Sequence, residues 1–463
     1  MSILAAVAVP HPPIILPEVG QGEEKKIAST TKAYHEVMAR VAALQPDTVV
    51  IISPHATIYA DYFHISPGGS AVGDMAQFRA PQVKIEAMYD QEFVQALTDI
   101  CDQNNLPAGT IGERQPKLDH GTMIPLYFLQ QHLPLDKVKV VRIGFSGLSA
   151  QVHYEFGKCV AQAAEALHRR VVIVASGDLS HKLKADGPYG LVPEGAVFDE
   201  LATKALGEGD YLTLLAVEPE LAEAAAECGL RSYWVMAGAL DRREVKSELL
   251  SYEGTFGVGY GVAWELAGGV DEKRNFGEQF AKLREEYMEK IRAGEDELVS
   301  LARASLEYYL DKHEAMPVPK ALSSGLTEKR SGVFVSLKKD GKLRGCIGTF
   351  LPTRDNIAQE IIYNAISAGT HDPRFDQVQT EELKDIIYDV DVLTEPEPID
   401  SPKKLDAKRY GVIVQNGQRR GLLLPDLAGV DTVEQQLDIA RRKGNIGSKE
   451  PVQLYRFEVE RHK

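Results

Sequence analysis

The sequence predicts an α/β domain with a mostly parallel central sheet and helices on both faces, followed by a smaller α+β domain with antiparallel hairpins. Apolar runs such as residues 49–52 (VVII) are too short for a usual helix and have no polar face, as in strands buried on both sides. They alternate with helical stretches such as residues 23–44, whose apolar residues recur every three or four positions. The second domain is predicted from Asp-Gly at 340–341 and Asn-Gly at 416–417, two hairpin turn signals.

The length and charge of the chain limit the class of protein. At 463 residues the chain is too long for one ordinary core, so two or three domains are expected. The formal net charge of −15 opposes general binding to nucleic acid. No run approaches the roughly 18 apolar residues that span a membrane. The cysteines lie far apart without a CxxC pair, which favours a reduced, cytoplasmic setting over a zinc ribbon or a disulfide framework.

The elements of the first domain follow one another in a β-α order. We predict strands at 3–9, 49–52, 138–143 and 171–175, helices at 23–44 and 150–167, a helical region at 194–227, a further helix at 233–240, and a closing β pair at 246–252 and 257–264. Polar residues with little apolar periodicity follow, and we place a partly helical linker there, at 266–294.

The second domain, residues 295–463, combines hairpins with helices. Helices are predicted at 355–368 and 432–442, and an alternating strand at 386–393. A basic segment at 403–420 contains one acid, Asp406, and is interpreted as a solvated face, with a local nucleic-acid contact as the alternative. Its basic residues are Lys403, Lys404, Lys408, Arg409, Arg419 and Arg420.

Histidines recur where the predicted strands of the first domain end. His11, His55 and His181 follow the first, second and fourth strands, and Asp178 precedes His181 by three residues. His120 lies at a predicted helix start. Because ligands of parallel sheets bind beyond the carboxyl ends of the strands, we expect these side chains to share one rim. Two imidazoles and one anionic ligand form the facial triad of non-haem Fe(II), although spacing alone suits zinc equally.

Four motifs carry a resemblance over residues 1–265. The segments AVPHPPIIL, SPHA, LDHG and SGDLSH resemble the LigB-like class III extradiol dioxygenases and the related Memo proteins. The resemblance implies His11 and His55 as iron ligands. It implies His120 and His181 as residues that handle the substrate proton and bound oxygen, with Asp178 orienting His181 or a water.

The third metal ligand has two candidates, the adjacent Glu227 and Cys228. Ring-cleaving members of the resembled family supply a glutamate, whereas the Memo branch places a cysteine. The two side chains project about 100° apart on a helix, so one backbone pose rarely offers both. Resemblance of the segment ECGLRSYWVMAGAL to the Memo branch favours Cys228, whose thiolate is softer and more reducing than a carboxylate.

The second domain resembles the AMMECR domain through LRGCIG at 343–348, DPRF at 372–375 and GLLLP at 421–425. Fusion of the two domains resembles the AmmeMemoRadiSam system, which implies a radical S-adenosylmethionine protein as partner. From the residues alone, glycines and arginines in these motifs are able to line a pocket for a phosphate or carboxylate, or simply to pack a tight strand with Arg374 paired to Asp372. The candidate binding residues are Arg344, Cys346, His371, Asp372 and Arg374.

Together these features predict an Fe(II)-dependent oxidoreductase of the extradiol-dioxygenase type, acting on a small aromatic or heterocyclic substrate. The second domain would bind the substrate or its carrier. The first alternative is a metal-stabilised scaffold that serves a radical enzyme, for example in modifying a macromolecule such as RNA. The second alternative is zinc-dependent hydrolysis.

Overall fold

The computed structural model describes residues 2–427 and 429–463. It contains two compact units, one ending at Arg284 and the other running from Glu285 to Lys463. The division between them falls within the predicted linker segment at 266–294, most of which is occupied by one helix.

The first unit combines strands and helices along its whole length. Its strands are β1 (Ile3–Val9), β2 (Thr48–Ser53), β3 (Phe63–Ile65), β4 (Ser70–Met75), β5 (Ala80–Met88), β6 (Ala108–Gly109), β7 (Lys139–Gly144), β8 (Val171–Ser176), β9 (Arg243–Glu253) and β10 (Tyr260–Val270). Its helices are α1 (Pro17–Gly20), α2 (Ala28–Ala43), α3 (Gln91–Gln103), α4 (His120–Leu129), α5 (Ala150–Ala166), α6 (Pro193–Glu208), α7 (Tyr211–Leu215), α8 (Pro219–Ala225), α9 (Leu230–Ala239) and α10 (Phe276–Gly294), the last of which contains the boundary.

An eight-stranded sheet forms the centre of the first unit, in the order β6-β3-β7-β2-β8-β1-β10-β9. Strands β7, β2, β8 and β1 are parallel neighbours, and β10 pairs antiparallel with both β1 and β9. The predicted α/β class and the closing antiparallel pair are therefore confirmed. A separate hairpin of β4 and β5 lies outside this sheet.

Successive residues of the parallel strands face opposite apolar layers, because side chains alternate along a strand. Val50 belongs to the layer that includes Phe93 of α3, whereas its neighbour Ile51 belongs to the layer that includes Tyr34 of α2. Burial on both faces explains why these strands are unbroken apolar runs. None of the described helices is both long and apolar enough to cross a membrane.

Two helical predictions differ from the structure in detail. The predicted helix at 23–44 becomes α-helical only at Ala28, after a 3₁₀ turn over Glu23–Ile27. The predicted helical region at 194–227 is divided into α6, α7 and α8. Gly209 ends α6 in a left-handed conformation with φ 66°, Asp210 caps α7, and Pro219 begins α8.

The second unit contains two antiparallel four-stranded sheets with helices, which confirms the predicted α+β class. Its elements are α11 (Glu297–Lys312), α12 (Ser324–Glu328), β11 (Val333–Lys339), β12 (Lys342–Thr349), α13 (Ile357–Thr370), β13 (Ile386–Leu393), β14 (Glu397–Ile399), β15 (Gly411–Asn416), β16 (Arg419–Leu423), α14 (Val433–Lys443), β17 (Gln453–Phe457) and β18 (Val459–His462). The sheets have the orders β12-β11-β13-β18 and β14-β17-β15-β16.

Both predicted hairpins are present in the second unit. Asp340 and Gly341 have φ of 50° and 72° between β11 and β12, as a type I′ turn requires. Gly417, with φ 60°, follows β15 at the turn into β16. Local turn chemistry thus sets the register of these strand pairs.

A buried carboxyl group in the first unit gives its stability a specific pH dependence. Glu265 of β10 has no exposed surface and accepts hydrogen bonds from the hydroxyls of Tyr211 (3.0 Å) and Ser247. Burial raises the pKa of Glu265 to about 8. Because the folded state holds this proton more tightly than the unfolded state, the stabilisation is complete below the ordinary glutamate pKa and is lost as pH rises through about 8.

Glu265→Gln is expected to remove this loss, because the amide stays neutral at every pH. One such group changes stability by about 1.4 kcal/mol per pH unit between its two pKa values. Urea unfolding should therefore show that the free energy of unfolding of Glu265→Gln, relative to that of the wild type, is about 2 kcal/mol higher at pH 8 than at pH 6. Glu244→Gln, on the exposed side of β9, is the control. Parallel pH profiles for wild type and Glu265→Gln would contradict the assignment.

Candidate metal centre

The predicted histidines of the first unit meet at one edge of its sheet. His11 lies two residues beyond β1 and His55 two residues beyond β2. Strand β8 runs between β1 and β2 in the same direction and ends at Ser176, just before Asp178. The parallel core therefore delivers three chain segments to one rim.

His11 and His55 face each other through their ring nitrogens. The two Nε2 atoms are 3.0 Å apart, and the rings stand nearly perpendicular, at 85°. Nitrogen ligands about 2.1 Å from a shared ion lie about 3.0 Å apart when the angle between them is near 90°. The pair therefore fits two ligands of one metal ion.

Hydrogen bonding fixes the tautomer of His11. Its Nδ1 lies 3.0 Å from Ser176 Oγ, and the Ser176 hydroxyl donates to the carbonyl of Gly121 at 2.7 Å. A hydroxyl has a single proton, so Nδ1–H must donate to Ser176 Oγ. Nε2 of His11 then carries the lone pair that a metal ligand needs.

His120 is the first residue of α4 and completes a cluster of three imidazoles. Its ring centroid lies 4.0 Å from that of His55 and 5.4 Å from that of His11. One nitrogen from each ring belongs to a set within 4.8 Å of one another. Burial lowers the pKa of His120 to about 3, with a further contribution from the neighbouring His55, so the ring is neutral at physiological pH.

Asp178 and Cys228 form a second candidate ligand group with His11. Cys228 Sγ lies 3.7 Å from His11 Nε2 and accepts a hydrogen bond from the Asp178 amide at 3.2 Å. One Asp178 carboxylate oxygen accepts from the His11 amide at 2.8 Å. Burial raises the pKa of the Cys228 thiol and of the Asp178 carboxyl, so burial favours the neutral form of each and a nearby cation would favour the anion.

The neighbouring Glu227 is engaged elsewhere. Its Oε2 accepts a hydrogen bond from the Leu230 amide at 2.6 Å, in the first turn of α9. Of the two predicted third ligands, the structure thus brings Cys228 to His11 and uses Glu227 at a helix N-terminus.

His181 presents one ring nitrogen to Asp178. Its Nδ1–H donates to the carbonyl of Ala226 at 2.6 Å, and its Nε2 lies 3.9 Å from Asp178 Oδ2. The ring of Tyr189 stands perpendicular to the imidazole, with centroids 5.3 Å apart. With Nδ1 committed as a donor, Nε2 is available to accept a proton.

Four residues around these side chains were not predicted from the sequence. Ser176 orients His11, and Ser53 accepts a hydrogen bond from the His55 amide at 3.2 Å. Gly121 allows close contact, because a Cβ there would lie 2.4 Å from Ser53 Oγ. Arg142, inside β7, is fully buried. The usable signals were the serine that opens SGDLSH, the glycine of LDHG and an arginine in an apolar strand.

In the second unit, the structure brings three of the five candidate binding residues together. Asp372 accepts a hydrogen bond from the Cys346 amide at 2.9 Å and pairs with Arg374 at 2.7 and 2.9 Å. Arg374 lowers the pKa of Asp372 to about 2. This Asp372–Arg374 pair is the one expected if these motifs pack a tight strand and do not line a binding pocket.

The other two candidates have different neighbours. Arg344 makes a two-pronged contact with Glu382 at 2.8 and 3.0 Å, and His371 Nδ1 lies 2.6 Å from Thr370 Oγ1. Both arginines of the proposed anion pocket therefore already face carboxylates of the same chain.

The basic segment at 403–420 is likewise extensively paired within its own unit. The ion pairs are Lys404 with Asp400, Lys408 with Asp426 and Asp431, Arg409 with Glu458, and Arg419 with Glu450. These acids offset the local positive charge, which fits the solvated-face interpretation better than a nucleic-acid surface.

Comparison with known proteins gives matches to both units. A family model described as the catalytic LigB subunit of aromatic ring-opening dioxygenase matches residues 5–263, and the AMMECR1 model matches residues 299–462. A protein of Clostridium acetobutylicum is 42% identical over the full length of both chains. A protein of Thermotoga maritima is 50% identical over 172 residues, covering 37% of this chain and 99% of its own.

Solved structures show weaker likeness. An uncharacterized protein from Pyrococcus horikoshii matches 35% of this chain and 88% of its own, with 33% identity and a TM-score of 0.34. An uncharacterized protein from Escherichia coli K12 matches 57% of this chain and 99% of its own, with 18% identity and a TM-score of 0.36.

Metal binding by the histidine pair is directly testable. Replacing His11 or His55 by Ala should lower affinity for Fe(II) or Co(II) by at least about 100-fold, because each change removes a nitrogen ligand. Anaerobic equilibrium dialysis with elemental analysis measures both stoichiometry and affinity. His132→Ala, on the exposed surface beyond α4, is the control. Full loading of a His11→Ala/His55→Ala double variant would refute the site.

Proposed function

Because the chain belongs to the family of the catalytic LigB subunit of aromatic ring-opening dioxygenases, we propose that its first unit is an Fe(II)-dependent oxidoreductase. Its substrate would be a small aromatic or heterocyclic compound, and the AMMECR1 domain of the second unit would bind that substrate, its carrier or a protein partner. The observation that carries this proposal is the opposed pair of His11 and His55 nitrogens beside Cys228.

The ligand set of the proposal is His11, His55 and Cys228. Two imidazoles and one anion on one side of an ion would correspond to the facial triad of ferrous iron, with a thiolate in place of the carboxylate, and would leave other positions open. When bound there, Fe(II) would supply Lewis acidity and one-electron chemistry with oxygen. Zinc is the alternative ion, since the same ligands bind it well.

The remaining polar side chains would manage protons. His181 Nε2 is free to accept a proton while its Nδ1–H donates to Ala226. It would act as the general base toward a hydroxyl group of the substrate, with Asp178 stabilising the imidazolium that forms. His120, neutral and adjacent to His55, would donate a hydrogen bond to the substrate or accept one from it.

A second candidate function is a metal-stabilised scaffold that serves a radical S-adenosylmethionine enzyme. The sulfur of Cys228 favours it, because a thiolate ligand stabilises a structural metal site strongly. Metal-independent association with such an enzyme, without turnover, would support the scaffold over the oxidoreductase.

The oxidoreductase proposal is tested by oxygen uptake with a panel of catechols and hydroxylated heterocycles. The chain, purified without oxygen and loaded with Fe(II), should consume oxygen with at least one of them. His181→Ala should reduce the rate by about 10²–10⁴-fold while leaving iron stoichiometry unchanged, as expected for loss of a general base. Stoichiometric zinc in the anaerobically purified protein, with no oxygen uptake after iron loading, would refute the proposal.

The identity of the third ligand is tested with Co(II). A thiolate ligand gives a charge-transfer absorption band that Cys228→Ser should abolish, since oxygen replaces sulfur. Glu227→Gln should keep the band, because its carboxylate bonds the Leu230 amide. A wild-type Co(II) form that lacks the band, together with weaker Co(II) binding in Glu227→Gln but not in Cys228→Ser, would reverse the assignment.

A further inference from the structure

We propose that Asp119, held by Arg142, is a positioning residue that sets His55 and His120 at their mutual distance before any metal binds. The inference rests on the proposed function in one respect, the use of His55 as a ligand. The structural basis is a chain of buried polar contacts that connects the backbones of the two histidines without involving either imidazole ring.

Arg142 organises the segment that leads into His120. It lies in β7 with no exposed surface, and its guanidinium donates to the carbonyls of Gln115 (2.8 Å) and Lys117 (3.0 Å). Its Nε lies 3.2 Å from Asp119 Oδ2 in an ion pair. A buried guanidinium is tolerated only when it is paired in this way, so the segment is fixed to β7.

Asp119 then acts on both histidines. Its carboxylate caps α4 by accepting from the Thr122 amide (3.0 Å) and hydroxyl (2.9 Å), which fixes the helix start at His120. The same carboxylate accepts from Ser53 Oγ at 2.5 Å, and Ser53 Oγ accepts from the His55 amide at 3.2 Å. The Asp119 carboxylate therefore fixes the backbone positions of both His55 and His120.

His11 is tied to the same helix start by a separate link. The carbonyl of Gly121 accepts from Ser176, whose oxygen accepts from His11 Nδ1. A Cβ on Gly121 would lie 2.4 Å from Ser53 Oγ and 3.1 Å from Asp119 Oδ1, so only glycine permits this approach. The contacts at the N-terminus of α4 therefore position all three histidines.

The opposite end of β2 provides an internal comparison. There Asp90 caps α3 through the Phe93 amide (3.3 Å), accepts from Thr48 Oγ1 (2.6 Å), and pairs with Arg169 Nε (3.2 Å). The same arrangement of a capping aspartate, a strand hydroxyl and an arginine occurs at both ends, but only one end has the histidines. Thr48→Ala is consequently a matched control for Ser53→Ala.

The first readout is Co(II) binding under anaerobic conditions. We expect Ser53→Ala and Thr48→Ala to lower the melting temperature by similar amounts. Only Ser53→Ala should weaken Co(II) affinity, by about 10-fold or more, as is usual for residues behind a metal ligand, and change the visible cobalt spectrum. Arg142→Lys should do the same, because it keeps the charge but loses the fork of donors. If Arg142→Lys fails to fold, Ser53→Ala decides the question.

The second readout needs no metal. In metal-free protein with ¹⁵N-labelled histidine, the imidazole shifts of His55 and His120 should change in Ser53→Ala and stay as in wild type in Thr48→Ala. Unchanged shifts together with wild-type Co(II) affinity in Ser53→Ala would overturn the inference. A wild-type chain that binds no Co(II) would refute the proposed function alone, because the shifts of the metal-free protein still decide the positioning role.

Discussion

Polar groups buried at the carboxyl edge of the parallel sheet must find partners inside the protein, and the arrangement of the site follows from that requirement. An unpaired buried donor or acceptor costs about 1–3 kcal/mol, and an unpaired charge costs more. The His11 amide is therefore satisfied by Asp178, its Nδ1 by Ser176, and the Asp119 carboxylate by Arg142 and Ser53. Each of these contacts joins two different chain segments. Satisfying buried polarity and orienting the histidines are thus one structural task.

The sequence predicted the strand-end histidines because their placement depends on two short-range facts. An unbroken apolar run identifies a buried strand, and the residue after it must lie at the rim where parallel neighbours also end. His11 and His55 satisfy both conditions, and they lie within hydrogen-bonding distance. The type I′ turn at Asp340 was predictable for a similar reason, since it depends on two adjacent residues.

Other features depend on contacts that no local pattern contains. Glu227 and Cys228 are adjacent in the sequence, but the Leu230 amide at the start of α9 donates a hydrogen bond to the Glu227 carboxylate. Arg142 reads in the sequence as a polar interruption of a strand, whereas its partners are 23 to 27 residues away. In the second unit, the sequence left open whether Arg374 binds an anion or pairs with Asp372, and the structure shows the pair. Charge alone did not decide between the two.

The balance of charge at the site connects its geometry to its chemistry. With His120 neutral, a divalent ion would offset the two anions that Asp178 and Cys228 form on deprotonation, at a place where burial otherwise favours both neutral forms. If Asp178 or His120 joined His11, His55 and Cys228 as a fourth ligand, a tetrahedral ion would be fully coordinated and the site would be structural. If both stayed outside, an ion that takes six ligands would keep positions for substrate and oxygen. The distance that Asp119 sets between His55 and His120 therefore bears directly on whether the centre is closed or open, and a closed centre would favour the scaffold over the oxidoreductase.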